Sequence, residues 1–198
     1  MRRFITQWGL LLLLQIMSGL IQAGQWDNKP YDLEGITLGM LLSDFKAALP
    51  HPDIVCSDEI DIKLDVEYIG QTICRPEHLL GYTISNQPVF IDYKFLTKDM
   101  TEWNDDRLYA IEVTFGHESF EAIKQAVKKK YGTPKESSVL SDTISGLRVK
   151  GGINKWFNDT GSVTLIEHIG AVSVLLLVHT KMREEFERRK FEKESSSD

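Results

Sequence analysis

From residue 60 to residue 68 apolar and polar side chains alternate without a break. Ile60, Ile62, Leu64, Val66 and Tyr68 share one side, and Asp61, Lys63, Asp65 and Glu67 the other, which predicts a strand with one buried and one wetted face. Residues 82–84 and 89–95 flank Ser85-Asn86-Gln87-Pro88 and read as a hairpin. A polar loop over 98–106 leads to residues 108–115, where Tyr109, Ile111, Val113 and Phe115 are expected to line one face. Three more strands are predicted at 153–157, 162–168 and 172–179, turning at Asn158-Asp159-Thr160-Gly161 and Ile169-Gly170-Ala171.

Helical spacing appears twice before these strand runs. Leu42, Phe45 and Leu49 mark a short helix stopped by Pro50 and Pro52. Phe120, Ile123, Val127 and Tyr131 mark a longer one, with Glu118 and Glu121 near its start and Lys128, Lys129 and Lys130 at its end, charges that complement the helix dipole. Gly132 suits a left-handed C-terminal cap, and Pro134 prevents continuation. A last charged helix over 181–193 carries Met182 and Phe186 and runs into a serine-rich tail expected to be disordered. A helix followed by strands therefore occurs twice. The expected fold is α+β: an antiparallel sheet with helices on one face, two helix-then-strands repeats, and a C-terminal helix. One domain spans residues 35–180, in halves of about 35–115 and 116–180, with 181–198 as helix and tail.

The first residues set the expected compartment. Arg2 and Arg3 precede an apolar stretch over 8–21, and Ala23 and Gly24 are small residues where a signal peptidase cuts. The stretch is shorter than the ~20 apolar residues a membrane span needs. Residues 1–23 are read as a signal peptide, 24–34 as a flexible leader, and the mature chain as periplasmic or secreted with no stable span. Without Arg2 and Arg3 there remain 21 basic residues against 29 acidic ones, a net charge near −8. That excludes nucleic acid as a partner and favours a basic one. The two cysteines, Cys56 and Cys74, both fall in the exported part, where an even count argues for one disulfide. A metal site with His78 or His51 beside them is the competing reading.

Gly35-Ile36-Thr37-Leu38-Gly39-Met40 opens the first helix and Lys130-Tyr131-Gly132-Thr133-Pro134 closes the second. With Asp106-Arg107-Leu108-Tyr109-Ala110-Ile111 and Trp156, this layout resembles bacterial exported proteins of the beta-lactamase-inhibitor-protein-like fold. That group includes small outer-membrane-assembly lipoproteins. The resemblance implies a non-catalytic protein that binds other proteins with an open sheet face and its loops. The assembly lipoproteins carry a lipidated cysteine, and this chain has none near its start, so an inhibitor or immunity role is expected ahead of assembly.

Candidate chemistry is sparse. No Gly-x-Ser-x-Gly elbow or phosphate loop occurs. His51, His78 and His117 lie apart along the chain, whereas His168 and His179 bracket the last hairpin and are expected close together, with no third ligand evident. Asp58, Glu59 and Asp61 lack the spacing of a calcium loop, and no metal or cofactor is expected. Asn158-Asp159-Thr160 matches a glycosylation sequon but serves better as a turn. The surface expected to meet a partner comprises Asp61, Asp65, Glu67, Trp103, Asp105 and Asp106. Acids would meet basic groups, and Trp103 would act as an anchor. The expected function is a non-enzymatic inhibitor or immunity-type module occluding a basic toxin or hydrolase. An envelope-assembly accessory is second and an unrecognised enzyme third.

Overall fold

Two strand meanders, each preceded by a helix, meet at their last strands. The computed structural model describes residues 29–48, 54–56, 71–76, 83–96, 105–144, 147–168 and 172–195. The first half opens with a tight hairpin of β1 (Asp32–Leu33) and β2 (Ile36–Thr37). Its two turn residues, Glu34 and Gly35, both have positive φ, the twist that suits two-residue hairpins. Helix α1 (Leu42–Ala48) follows, then β3 (Ile54–Cys56), β4 (Gln71–Pro76), the small hairpin β5 (Thr83–Ile84) and β6 (Gln87–Pro88), β7 (Phe90–Leu96) and β8 (Arg107–Gly116). In the second half, a single turn of 3-10 helix at His117–Ser119 leads into α2 (Phe120–Tyr131). There follow β9 (Glu136–Ile144), β10 (Leu147–Phe157), β11 (Gly161–His168) and β12 (Val172–His179), and then helix α3 (Thr180–Ser195).

Eight of these strands form one antiparallel sheet in the order β3-β4-β7-β8-β12-β11-β10-β9. Each half contributes a meander, and the halves join where β8 pairs with β12. The fold is the expected α+β architecture with its two helix-then-strands repeats. The second meander has four strands where the sequence pattern marks three, because β9 is polar on much of its length and carries no alternation to betray it.

One face of the sheet holds the main core. Phe45 of α1 is fully buried, with ring centroids 4.7 Å from Tyr93 and 5.1 Å from Phe95. Burying such a ring stabilises by roughly 1.5–3 kcal/mol, which lets a helix of two turns persist. Phe120, Ile123 and Val127 of α2 join the same core with Ile111, Val113, Phe115, Val163, Leu165, Leu175 and Leu177. Helix α3 packs on the other face. Met182 and Phe186 meet Leu96, Tyr109, Ala110, Leu176 and Val178 there in a separate cluster.

Three expectations need correction. Tyr109 does not share a face with Ile111, Val113 and Phe115. The β7–β8 register runs Lys94↔Ala110 and then Phe95↔Leu108, leaving Tyr109 as the extra residue of a bulge. Leu108 takes the place on the packed face and Tyr109 turns to the α3 side, a reversal that one inserted residue imposes on a strand. The expected leader is ordered at its end: Tyr31 and Leu33 are buried in the main core, and Lys130 Nζ lies 2.7 Å from Asp32 Oδ2. The last helix runs on to Ser195, inside the stretch read as a loose tail.

Cys56 and Cys74 are cross-strand partners in β3 and β4, joined by a disulfide and buried against Tyr93. The bond ties the short edge strand to the sheet and closes a loop with a sequence separation of 18. Chain entropy alone assigns such a closure about 3 kcal/mol. The double variant Cys56→Ala/Cys74→Ala is therefore expected to lose about 3 kcal/mol of unfolding free energy in urea titration. An unchanged midpoint would show that the bond adds nothing to stability.

The open face of the sheet as candidate site

Among the described residues, the face of the sheet that carries α3 is covered only at one end. Away from the helix, one side chain per strand forms a row through the registers Phe90↔Thr114, Thr114↔Val174, Val174↔Ile166 and Ile166↔Ile153. Four interstrand spacings carry this row roughly 19 Å across the sheet. Phe90 is 45% exposed and the neighbouring Val172 56%, while Val174, Ile166 and Ile153 are partly exposed. Apart from Thr114 the row is apolar, and an exposed apolar strip of this kind is the usual mark of a contact site.

Several described charges on this face are already paired. Arg75 Nε lies 3.2 Å from Asp92 Oδ1, and Lys94 Nζ donates to Glu112 on the adjacent strand. Lys155 reaches Glu136 at 3.9 Å, and Arg183 reaches Glu187 at 3.8 Å. Burial pushes the Asp92 carboxyl above its ordinary range, and the attraction of Arg75 and Lys94 opposes that push. A cleft of about 160 Å³ opens between α3 and the sheet, lined in part by Lys94, Tyr109, Glu112, Arg183, Phe186 and Glu187. The Tyr109 ring stacks on Phe186 at 5.4 Å, and its hydroxyl accepts a 2.7 Å hydrogen bond from Gln71 Nε2. Burial raises that phenol to about 12, with Glu187 adding to the effect. It stays protonated at any physiological pH and serves as an anchor.

Of the residues expected to meet a partner, Asp61, Asp65, Glu67 and Trp103 lie outside the described residues, as do His51 and His78. Asp105 is exposed and Asp106 half-buried at the start of β8, where the Asp106 carbonyl accepts from Leu42 N at 3.0 Å. Asp106 immediately precedes β8, and Thr114 lies eight residues further along the chain, roughly 26 Å when extended. The structure does not bring these acids to the apolar row. His168 and His179 are also parted. His179 pairs with Gly161 at one end of the β11–β12 hairpin, and His168 sits at the other, opposite Gly151. A short turn places residues equidistant from it side by side, and these two are not equidistant. No group of three or more His, Cys, Asp or Glu side chains disposed to hold a metal occurs among the described residues.

The row itself escaped the sequence reading, although one signal was present. The stretch Val174-Leu175-Leu176-Leu177-Val178 is apolar at both parities, which says that β12 needs apolar neighbours on both faces. The motifs behind the family resemblance turn out to be joints of the frame. Gly39 N donates to Leu108 O at 2.8 Å, and Leu108 N to Met40 O at 2.9 Å. Trp156 Nε1 donates to Gly132 O at 2.8 Å, and Tyr131 Oη to Asp32 O. Asn158 Oδ1 accepts from Thr160 N and Gly161 N, both at 2.9 Å, so the sequon asparagine is the clasp of its turn.

No family model, no curated protein and no solved structure matches this chain.

His179 offers a test of this frame. Its Nδ1 is buried and meets no hydrogen-bond partner on another described residue, and burial pushes the imidazole below its ordinary value of 6.5, opposed by contact with its own backbone and aided by Lys181. In the unfolded chain the ring takes up a proton as pH falls through 6.5, while the folded protein resists it. Stability therefore declines from about pH 7 downward and the decline levels off below the folded value. Replacing His179 with Gln should flatten this slope in unfolding titrations between about pH 7 and 5. Parallel slopes for both proteins would show that His179 does not contribute.

Proposed function

We propose that the chain is an exported, non-catalytic protein-binding module of the inhibitor or immunity type. The apolar row from Phe90 to Ile153 carries this reading. It lies on the open face, across five strands of a sheet, beside charges that are already neutralised within the molecule. A stiff sheet loses little entropy on binding, and pre-paired charges need no new partner when water leaves, so apolar burial translates efficiently into affinity. The joined cysteines support an oxidising compartment. Among the described residues no helix is long and apolar enough to cross a membrane. On this reading the module covers a partner's cleft with the row, and the net negative charge of the chain steers a basic partner toward it.

Capture from envelope extract tests the proposal directly. The double variant Phe90→Asp/Val174→Asp should keep its far-ultraviolet circular dichroism, since Phe90 is exposed and Val174 partly so. It should lose at least about 30-fold in affinity for the captured protein, the size of a typical hot-spot truncation. Undiminished capture by the folded variant would remove the open face from the binding site. A deletion strain that is detergent-sensitive in the absence of any toxin would replace the inhibitor reading with an envelope-assembly role.

A further inference from the structure

Among the described residues, strand β9 has one neighbour. It is the last strand of the sheet, paired to β10 from Glu136↔Lys155 to Ile144↔Leu147, and no described strand meets its outer edge. Natural sheets blunt such an edge with short strands, prolines, lysines or bulges. The opposite edge follows that rule, because β3 has only three residues. β9 does not. Its nine residues, Glu136 to Ile144, contain neither proline nor lysine, and its ladder to β10 has no register break. Glu136, Ser137, Ser138 and Val139 are exposed, Val139 at 85%.

The far half of β9 is also under-supported. The β10–β11 ladder ends at Gly151↔His168, whereas the β9–β10 ladder continues to Leu147↔Ile144. Beyond Gly151 no other described strand joins the two, and a two-stranded ribbon is marginal in water until a third strand joins it.

We propose that β9 pairs antiparallel with β9 of a second copy of this chain, joining two eight-stranded sheets into one. Identical strands related by a two-fold axis pair in this sense, and the axis closes the assembly at two copies. Full overlap of nine residues places the axis at Leu140. Glu136 then faces Ile144 of the other copy, Ser137 faces Thr143, Ser138 faces Asp142 and Val139 faces Ser141. No two carboxylates oppose each other in this register. Shifting the centre to Val139 shortens the overlap and sets Glu136 against Asp142, a like-charge pair that costs stability. The register with the most hydrogen bonds is thus also the one that charge permits, and Glu136 is further neutralised by Lys155 within its own copy. Because the axis is perpendicular to the sheet, both apolar rows end up on the same side of the dimer. This inference rests on the edge alone and stands whether or not the open face binds a partner.

Light scattering on the eluting full chain should return twice the chain mass. Leu140→Cys supplies the one free thiol, since the two native cysteines are joined to each other, and mild oxidant should convert it to a covalent dimer on non-reducing gels. Leu140→Lys sets two cations face to face at the axis and should weaken the dimer at least tenfold. Ser138→Lys sits opposite Asp142 of the other copy and should tighten it. A monomer at every concentration, a dimer that Leu140→Lys leaves intact, or no cross-link through Leu140→Cys would each overturn the proposal. If Leu140→Lys does not fold, the opposite-signed Ser138→Lys effect and the cross-link decide.

Discussion

Pairing of β8 with β12 is the contact on which the molecule is built. These are the last strands of the two meanders, and seven register pairs from Val172↔Gly116 to Val178↔Ala110 hold them together. Without this ladder there are two four-stranded meanders, each with one short helix and too little core to stand alone. With it, Ile111, Val113 and Phe115 of one half lie beside Leu175 and Leu177 of the other, all buried. Helices α1 and α2 then share one hydrophobic layer. The antiparallel sense of the join also relates the halves by an approximate two-fold rotation, so the strands of each half follow in chain order from the outer edge inward to the centre.

β8 has more to do than β12 can match. Past Ala110 its edge is taken over by the segment before α1, through Gly39, Met40 and Leu42 bonding to Leu108 and Asp106. Gly39 has a φ of +88° and lies against the His179 ring, so the chain turns there at a point where a side chain would be strained. The same stretch of β8 carries the bulge at Tyr109. One extra residue moves a tyrosine from the core layer to the far face, where it becomes the floor on which Phe186 rests. The frame and the docking of α3 therefore come from a single irregularity.

How much of this was legible in the chain depends on which physical signal each part leaves. Phe45 and the α2 stripe of Phe120, Ile123 and Val127 announce themselves by spacing, because a helix on a core must repeat its apolar face every three or four residues. β11 and most of β7 alternate for the same reason. The cysteine pairing was legible in the even count of two, taken with the expected export of the chain. β9 was not legible, since an edge strand with polar residues on both faces needs no periodicity. Nor was the Tyr109 reversal, because a bulge is decided by the partner strand and leaves no mark in local alternation. The acids at residues 105 and 106 drew attention as charge, yet the surface that stands out in three dimensions is apolar and assembled from five strands. No single stretch of sequence displays it.

The distribution of α3 contacts explains why that surface stays open. The helix starts at Thr180 directly after β12, so it leaves the sheet at the end where β12 stops. Among the described residues Met182 and Phe186 are its apolar contacts with the face below, and the following turns are occupied with one another: Arg188 pairs with Glu185 at 2.8 Å and with Glu192. Phe191, 70% exposed, contributes nothing to the cluster. A helix anchored over two turns covers Leu96, Tyr109, Ala110 and Val178 but stops short of Phe90, Val172 and Val174. Evolution of a closed sheet face would have required apolar residues along the whole of α3. The self-satisfied charges that stand there instead leave the row from Phe90 to Ile153 in water, where its apolar side chains carry the unfavourable free energy of exposed hydrocarbon.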